Sequence, residues 1–102
     1  RFANKLPAIL MGDFNAAPGS DCHAELTGPP REPALQRFHP VFSSPFPGTF
    51  HGFKGGDGSR CIDWILFRGA IALHHAGVIP FQASACYPSD HYPVAANFFW
   101  KS

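Results

Sequence analysis

The sequence predicts an α/β protein built from about five strands with one or two short helices. Its 102 residues are 45% hydrophobic and 15% aromatic, which suits one small domain with a buried core. Short apolar runs, separated by glycine, proline and Asx residues, recur along the chain and are typical of strands. Because little helix is left to cover the sheet, a second sheet packed face to face is the expected cover.

The first half of the chain predicts one strand and one short helix. Residues 6–11 form a continuous apolar run before a glycine, which is typical of a strand buried on both faces. Ser20 or Asp21 can cap a helix that continues through residues 22–26. Turn-forming residues separate the two elements, so they are expected to follow each other directly along the chain.

The middle of the chain is expected to be mostly irregular. Residues 28–48 contain six prolines, which fix φ and remove backbone donors, although a brief helical turn over residues 34–38 is compatible with the pattern. Residues 49–53 alternate weakly like a strand, and the glycine-rich residues 54–59 are expected to form a loop between neighbouring strands.

The second half carries the strongest strand pattern. Residues 61–67 are rich in β-branched and aromatic side chains and predict a strand, with residues 71–79 expected to pair nearby. A turn at residues 87–90 precedes a last predicted buried strand at residues 93–100. The aromatic side chains within that last strand are expected to pack in the core or between sheets: Phe98, Phe99 and Trp100.

Bulk composition excludes little about function. The formal net charge is +1, so no strongly basic field indicates nucleic acid, and phosphate binding would need a local site or a metal.

Cys22, Cys61 and Cys86 lack CxxC spacing and are expected to be free thiols or to form at most one bridge. No apolar run approaches the length of about 20 residues that spans a bilayer, and no signal peptide is seen. We expect a soluble chain of unknown compartment that begins within a longer protein.

Polar groups lie beside three of the predicted strands. Asp13 and Asn15 follow the first strand, Asp63 lies within the third, and Asp90 and His91 precede the last. Strand ends present side chains to a common cleft, where carboxylates, an amide and an imidazole can form a hard-oxygen metal site with an adjacent acid or base. The three segments together therefore favour a catalytic site.

Structural alternatives exist for each segment taken alone. Asp13 and Asn15 could be turn formers, since Asx side chains bond to local backbone groups. Asp63 is harder to explain this way, because a carboxylate within an apolar strand is costly unless it is paired. Asp90 and His91 could be an exposed turn pair.

Three motifs in this order resemble the endonuclease/exonuclease/phosphatase superfamily. They are Gly12-Asp13-Phe14-Asn15, Arg60-x-Ile62-Asp63-Trp64-Ile65 and Ser89-Asp90-His91-x-Pro93-Val94. The resemblance implies a four-layer α/β sandwich of the DNase-like kind, with a mostly antiparallel sheet and short helices. Residues 1–102 would be the C-terminal half of that domain, with the N-terminal half absent.

The resemblance also implies a role for each residue. Asp13 would orient and deprotonate the attacking water, and Asn15 would bind phosphate oxygens or position that water. Asp90 would help to hold Mg²⁺ or Mn²⁺. His91 would donate to the phosphoryl oxygen, and Asp63 would bond the far ring nitrogen of His91 and fix its tautomer.

The implied function is metal-dependent hydrolysis of a phosphate ester in nucleic acid, lipid or a small molecule. The family's other metal ligands, an Asn and a Glu, come from the N-terminal half, so this fragment alone is expected to have little activity. The alternative is a non-catalytic binding or structural module that retains the fold.

Five of the six histidines lie outside these three motifs. His51 lies in a Thr-x-His segment that resembles one found in some bacterial members of the family, which suggests a near-site role against the alternative of a solvated strand histidine. The others lack the spacing of a zinc site and are expected at the surface: His23, His39, His74 and His75.

Overall fold

The computed structural model describes residues 6–29, 37–82 and 86–101. This part of the chain is a mixed α/β structure of mostly antiparallel strands with one short helix, compatible with a fragment of a DNase-like sandwich. The elements in chain order are β1 (Ala8–Asp13), α1 (Asp21–Thr27), β2 (His39–Pro40), β3 (Asp63–Arg68), β4 (Ile71–Val78) and β5 (Val94–Trp100).

The strands form two antiparallel pairings. A three-stranded sheet has the order β1-β3-β2, and β4 pairs with β5 in a separate two-stranded sheet. In the first sheet Met11 lies opposite Ile65, and Asp13 at the end of β1 lies opposite Asp63 at the start of β3. This register brings two of the predicted site carboxylates to the same edge.

Helix α1 forms where the sequence predicts it. The Ser20 hydroxyl oxygen accepts a hydrogen bond from the backbone N–H of His23 at 3.3 Å, which caps a free donor of the first turn. Asp21 places a negative charge at the positive end of the helix. At the other end, the N–H of Gly28 donates to the carbonyl of Ala24. The predicted capped helix is confirmed.

The core lies between the first sheet and α1. Trp64 and Leu66 project from one face of β3, and Leu66 is fully buried. The ring of Phe14 stacks on Trp64 with centroids 4.3 Å apart, while the indole N–H of Trp64 donates to the carbonyl of Cys61 at 2.9 Å. This packing holds the start of β3, where Asp63 lies, against the end of β1.

His23 belongs to this core, contrary to the surface position expected for it. Its ring meets the face of Trp64 edge-on at a centroid distance of 4.8 Å, and only 8% of the residue is exposed. Burial lowers the pKa of His23 below its ordinary value. His23 is buried because it lies on the face of helix α1 that packs against Trp64 of β3. The other three, His39, His74 and His75, are exposed as predicted.

The opposite face of the first sheet is open along β1 within the described residues. Side chains alternate along a strand, so Ile9 and Met11 point away from the core and are 51% and 68% exposed. The prediction that the first strand is buried on both faces is therefore wrong for this chain. The face does match the expectation that a further layer is needed to cover the sheet.

Strand β5 is also less buried than the sequence suggests. Phe98 packs against Phe67 of β3 at a centroid distance of 5.1 Å. Phe99 and Trp100 are 54% and 76% exposed, so the prediction that they pack in the core or between sheets is wrong for this chain. Alternation along the strand explains the contrast between Phe98 and Phe99.

Three assignments in the middle of the chain change. Residues 49–53 form no strand ladder, because Gly52 and Phe53 adopt φ of 60° and 66° and turn the chain away after an isolated bridge at Phe50. Conversely, β2 pairs with β3 where irregular chain was expected. Of the helical turn predicted over residues 34–38, residues 34–36 lie outside the described part, and the remaining two are not helical.

All three cysteines are free thiols, within the prediction of free thiols or at most one bridge. None of the helical structure in the described ranges has both the length and the apolar character needed to traverse a bilayer.

Candidate active site

The site begins with the pairing of Asp13 and Asp63. The two residues are direct partners in the antiparallel register of β1 and β3, so their side chains project from the same face of the sheet. Asp13 ends its strand and is half exposed, whereas the Asp63 side chain is only 14% exposed. One carboxylate therefore faces solvent and the other lies partly within the protein.

A β-bridge to Phe50 places His91 at this edge of the sheet. Phe50 forms isolated antiparallel bridges with both Arg60 and His91, which places residue 91 beside the chain that enters β3. The ring of Phe50 meets the His91 imidazole nearly edge-on, with centroids 5.3 Å apart. Nδ1 of His91 lies 2.7 Å from Oδ2 of Asp63. The structure thus makes the pairing that the family resemblance implies.

This contact sets the protonation of the ring. An ionised carboxylate can only accept hydrogen bonds, so Nδ1 of His91 carries the proton and donates to Asp63. The hydrogen bond to Asp63 raises the pKa of His91, partial burial opposes that rise, and the charges of Asp63, Asp13 and Asp90 add to it. The imidazolium form is therefore more stable at this position than in an unpartnered histidine.

The other ring nitrogen is flanked by two carboxylates. Nε2 of His91 lies 3.8 Å from Oδ2 of Asp13 and 3.8 Å from Oδ1 of Asp90. Both carboxylates are substantially exposed, so Nε2 faces a polar, solvent-accessible edge. Three carboxylates and one imidazole, drawn from three separate segments, converge at this point.

A divalent cation suits this donor set. One potential ligand atom each from Asp13, Asp63 and His91 lies within 4.8 Å of the others. Oδ2 of Asp63 is already bonded to His91, which leaves Asp13 and Asp90 as the freer oxygen donors. Carboxylate oxygens at an accessible edge fit a hard cation such as Mg²⁺ or Mn²⁺, which retains part of its hydration shell.

Asn15 is tied to Asp13 by a local turn. The backbone N–H of Asn15 donates to Oδ1 of Asp13 at 2.9 Å, and Asn15 itself adopts a φ of 51°. The turn-forming alternative is therefore correct for this pair. It does not compete with a catalytic role, because Oδ2 of Asp13 remains directed towards His91.

The segment that carries Asp90 and His91 is held by its backbone. The carbonyl of Asp90 accepts from the N–H groups of His51 and Gly52 at 2.8 and 3.1 Å. The hydroxyl of Ser89 accepts from the N–H of His91 at 3.0 Å. These bonds order what would otherwise be an exposed turn.

His51 is not the solvated histidine of the alternative interpretation. It is 5% exposed and its ring stacks on Tyr92 at 4.2 Å, with Tyr87 at 4.6 Å on a tilted plane. Neither ring nitrogen has a hydrogen-bond partner among the described residues. Its link to the site is its backbone N–H, which holds Asp90.

Cys61 lies beside Asp63 but is unsuited to nucleophilic chemistry. Burial, with a smaller contribution from the charge of Asp63, raises the pKa of the Cys61 thiol to about 11. The thiol is therefore protonated near neutral pH and acts as a small core side chain.

Thr49, the first residue of the Thr-x-His segment, was given no role from the sequence, yet it is fully buried beside the start of β3. Its hydroxyl contacts three backbone groups of residues 60–63. The segment drew attention to His51, and only the tertiary contacts reveal what the threonine does.

This α/β fold therefore gathers carboxylates and a carboxylate-bound imidazole at adjoining strand ends, an arrangement suited to acid–base chemistry beside a metal ion. The family model for the Endonuclease/Exonuclease/phosphatase family matches residues 2–91, and the chain belongs to this family. The match includes Asp13, Asp63, Asp90 and His91. Members of this superfamily are generally phosphoesterases and typically depend on a divalent metal. Comparisons with curated proteins and with solved structures gave no match.

Proposed function

We propose that this chain supplies the C-terminal part of the active site of a phosphoesterase that depends on Mg²⁺ or Mn²⁺. The observation that carries the proposal is the 2.7 Å contact between Asp63 and His91, with Asp13 and Asp90 each 3.8 Å from the free ring nitrogen. Neither a turn-forming role nor a surface ion pair requires three separate segments to converge in this way.

Asp13 is the proposed base. Its Oδ1 is held by the N–H of Asn15, while its exposed Oδ2 can accept a proton from a water molecule at the edge of the sheet. Deprotonation of that water would supply the nucleophile that attacks phosphorus. The side-chain amide of Asn15 would position the same water or bind a phosphate oxygen.

His91 is the proposed donor to the phosphate. With Nδ1 bonded to Asp63, the protonated ring presents only Nε2–H to the substrate. This N–H would donate to a phosphoryl oxygen and stabilise the charge that grows there as the ester bond breaks. Asp63 would orient the ring and, by raising the pKa of His91, extend the donating form to higher pH than in an unpartnered histidine.

Asp90 is the proposed metal-binding carboxylate, with Asp13 close by. When bound, the cation neutralises phosphate charge and makes water a stronger acid. The exposure of both carboxylates allows ligands from elsewhere in the domain to complete the coordination.

The remaining ligands would come from the N-terminal half of the same domain. The open apolar face of β1, which carries Ile9 and Met11, is also the face from which Asp13 projects. A second layer packed on this face would therefore border the site. On this interpretation the isolated chain has little hydrolytic activity, and the substrate is a phosphate ester of nucleic acid, lipid or a small molecule.

The test joins the chain to its N-terminal half and measures hydrolysis of an activated phosphodiester with and without Mg²⁺. We expect metal-dependent turnover that falls by about 100-fold or more in His91→Ala, in line with the loss of a donor that stabilises transition-state charge. His74→Ala, which changes an exposed histidine, is the matched control. An unchanged rate in His91→Ala would remove His91 from the mechanism. Absence of turnover in the complete domain would favour a non-catalytic binding module.

A further inference from the structure

The hydroxyl of Thr49 uses its full hydrogen-bonding capacity on one short stretch of backbone. It accepts from the N–H groups of Ile62 and Asp63 at 3.0 and 3.2 Å and donates to the carbonyl of Arg60 at 3.1 Å. A hydroxyl offers one donor and two acceptor sites, so none remains unused. Thr49 is fully buried, and no solvent is available to replace these bonds.

The backbone of Thr49 is also hydrogen-bonded to the segment that carries His91, the partner of Asp63. The carbonyl of Thr49 accepts from the N–H of Tyr92, the residue after His91, at 2.7 Å. Its own N–H donates to the carbonyl of Arg60 at 2.6 Å. Thr49 is therefore bonded on one side to the backbone that carries Asp63 and on the other to the backbone that follows His91.

On one edge of β3, strand β1 holds this position, because Asp13 pairs with Asp63 and the N–H of Phe14 donates to the carbonyl of Ile62 at 2.8 Å. On the other edge, regular strand pairing does not reach it. Strand β3 begins at Asp63, and β2 pairs with β3 only at Leu66 and Phe67, with one further bond from Val41 to Ile65. Ile62 lies outside any regular strand, and its N–H is satisfied by the Thr49 side chain. A side chain thus supplies the order that a ladder supplies further along β3.

We propose that Thr49 is a positioning residue that holds Asp63 and His91 in register with each other. The catalytic consequence rests on the proposed function, but the geometric claim does not. A purely structural threonine would stabilise the loop without controlling the distance between the carboxylate and the imidazole. The test must therefore read out the Asp63–His91 contact itself.

Two substitutions separate the roles of the Thr49 hydroxyl and methyl group. Thr49→Val keeps the shape and removes the hydroxyl, whereas Thr49→Ser keeps the hydroxyl and removes the methyl. The matched control is Ser59→Ala, because the Ser59 hydroxyl makes a single exposed bond of 3.5 Å to the carbonyl of Phe50. That bond lies in the same connection but does not contact Asp63 or His91.

The primary measurement is the NMR signal of the Nδ1 proton of His91 in the metal-free protein. In the wild type, Thr49→Ser and Ser59→Ala, this proton should be shifted downfield and protected from exchange, because it lies in a short bond to a carboxylate. Thr49→Val should lose the downfield shift or the protection while the rest of the spectrum stays dispersed. A folded Thr49→Val protein with an unchanged His91 signal would overturn the proposal.

If Thr49→Val fails to fold, hydrogen exchange in the wild type carries the test. The amide proton of Asp63, bonded to Thr49, and the ring proton of His91 should then exchange through one shared opening event. Exchange through independent events would overturn the proposal.

The kinetic consequence is measured in the complete domain. Thr49→Val should lower kcat by about 100-fold with little change in KM, as expected for a misplaced catalytic pair, and Thr49→Ser should stay close to wild type. A domain without phosphoesterase activity would contradict the proposed function but leave the NMR result intact. The two failures are therefore distinguishable.

Discussion

Asp63 and His91, 28 residues apart in the chain, are joined by a hydrogen bond of 2.7 Å between a carboxylate oxygen and Nδ1 of the imidazole. The contact explains why a carboxylate is tolerated at the start of the most buried strand of the described residues, β3, since its burial is offset by a charged or polar partner. It also leaves Nε2 of His91 as the only ring nitrogen that can meet a substrate.

Asp63→Asn should bring the pKa of His91 down towards its ordinary value. The hydrogen bond to the Asp63 carboxylate is the largest cause of the raised pKa, and an amide lacks the negative charge. An NMR titration of the His91 ring protons measures the change directly. Asp57→Asn, in the exposed glycine-rich loop, is the control. An unaltered titration in Asp63→Asn would show that the bond does not set the protonation of His91.

The raised pKa of His91 predicts a specific pH dependence of stability. The folded state holds the proton more tightly than the unfolded chain, so the contribution is fully present below about pH 6.5 and is lost as pH rises through the higher folded pKa. Denaturant unfolding of metal-free protein should show this decline in the wild type and in His74→Gln. His91→Gln should not show it, and the same decline in that variant would assign it to another group.

The lowered pKa of His23 predicts the opposite dependence of stability on pH in acidic solution. Burial lowers its pKa, so the unfolded chain binds the proton more readily, and stability should fall as pH drops below about 6.5. His23→Gln should flatten this acidic limb, although it also disturbs the contact with Trp64. Denaturation midpoints between pH 7 and the acid limit, with His39→Gln as an exposed control, measure the difference in slope. Equal slopes in all three proteins would contradict the assignment.

Truncation to alanine should cost far more stability at Leu66 than at Met11. Leu66 is fully buried at the centre of the core, and Leu66→Ala should lower the free energy of unfolding by about 2–5 kcal/mol. Met11 projects from the open face, and Met11→Ala in the isolated chain should change it by less than about 0.5 kcal/mol. Equilibrium denaturation compares the two. Similar losses would mean that the open face is covered in solution.

The open apolar surface should drive self-association of the isolated chain. Ile9, Phe99 and Trp100 line one groove and are each at least half exposed. The double variant Ile9→Lys with Trp100→Lys should lower the weight-average mass in sedimentation experiments. Phe53→Asn, which changes an exposed aromatic residue in a loop and tolerates its positive φ, is the control. A wild-type chain that sediments as a stable monomer would contradict this prediction.

The elements that the sequence predicted well are those whose signals are local. Helix α1 depends on a cap at Ser20, and β3 depends on a run of β-branched and aromatic residues, so both can be read from neighbouring residues. The short strand β2 could not be read this way, because its residues lie in proline-rich chain and pair only when β3 is alongside. Burial of His23 similarly depends on the arrival of Trp64.

The sequence by itself determined which groups are available for chemistry: Asp13, Asn15, Asp63, Asp90 and His91 are set beside strands by residue type and order alone. Only the tertiary structure decided which of them meet. The distance between Asp63 and His91, and the bonds that Thr49 makes to both sides of that pair, arise from packing between segments far apart in the chain. Local patterns carry no record of such contacts, because their energy appears only when the segments come together.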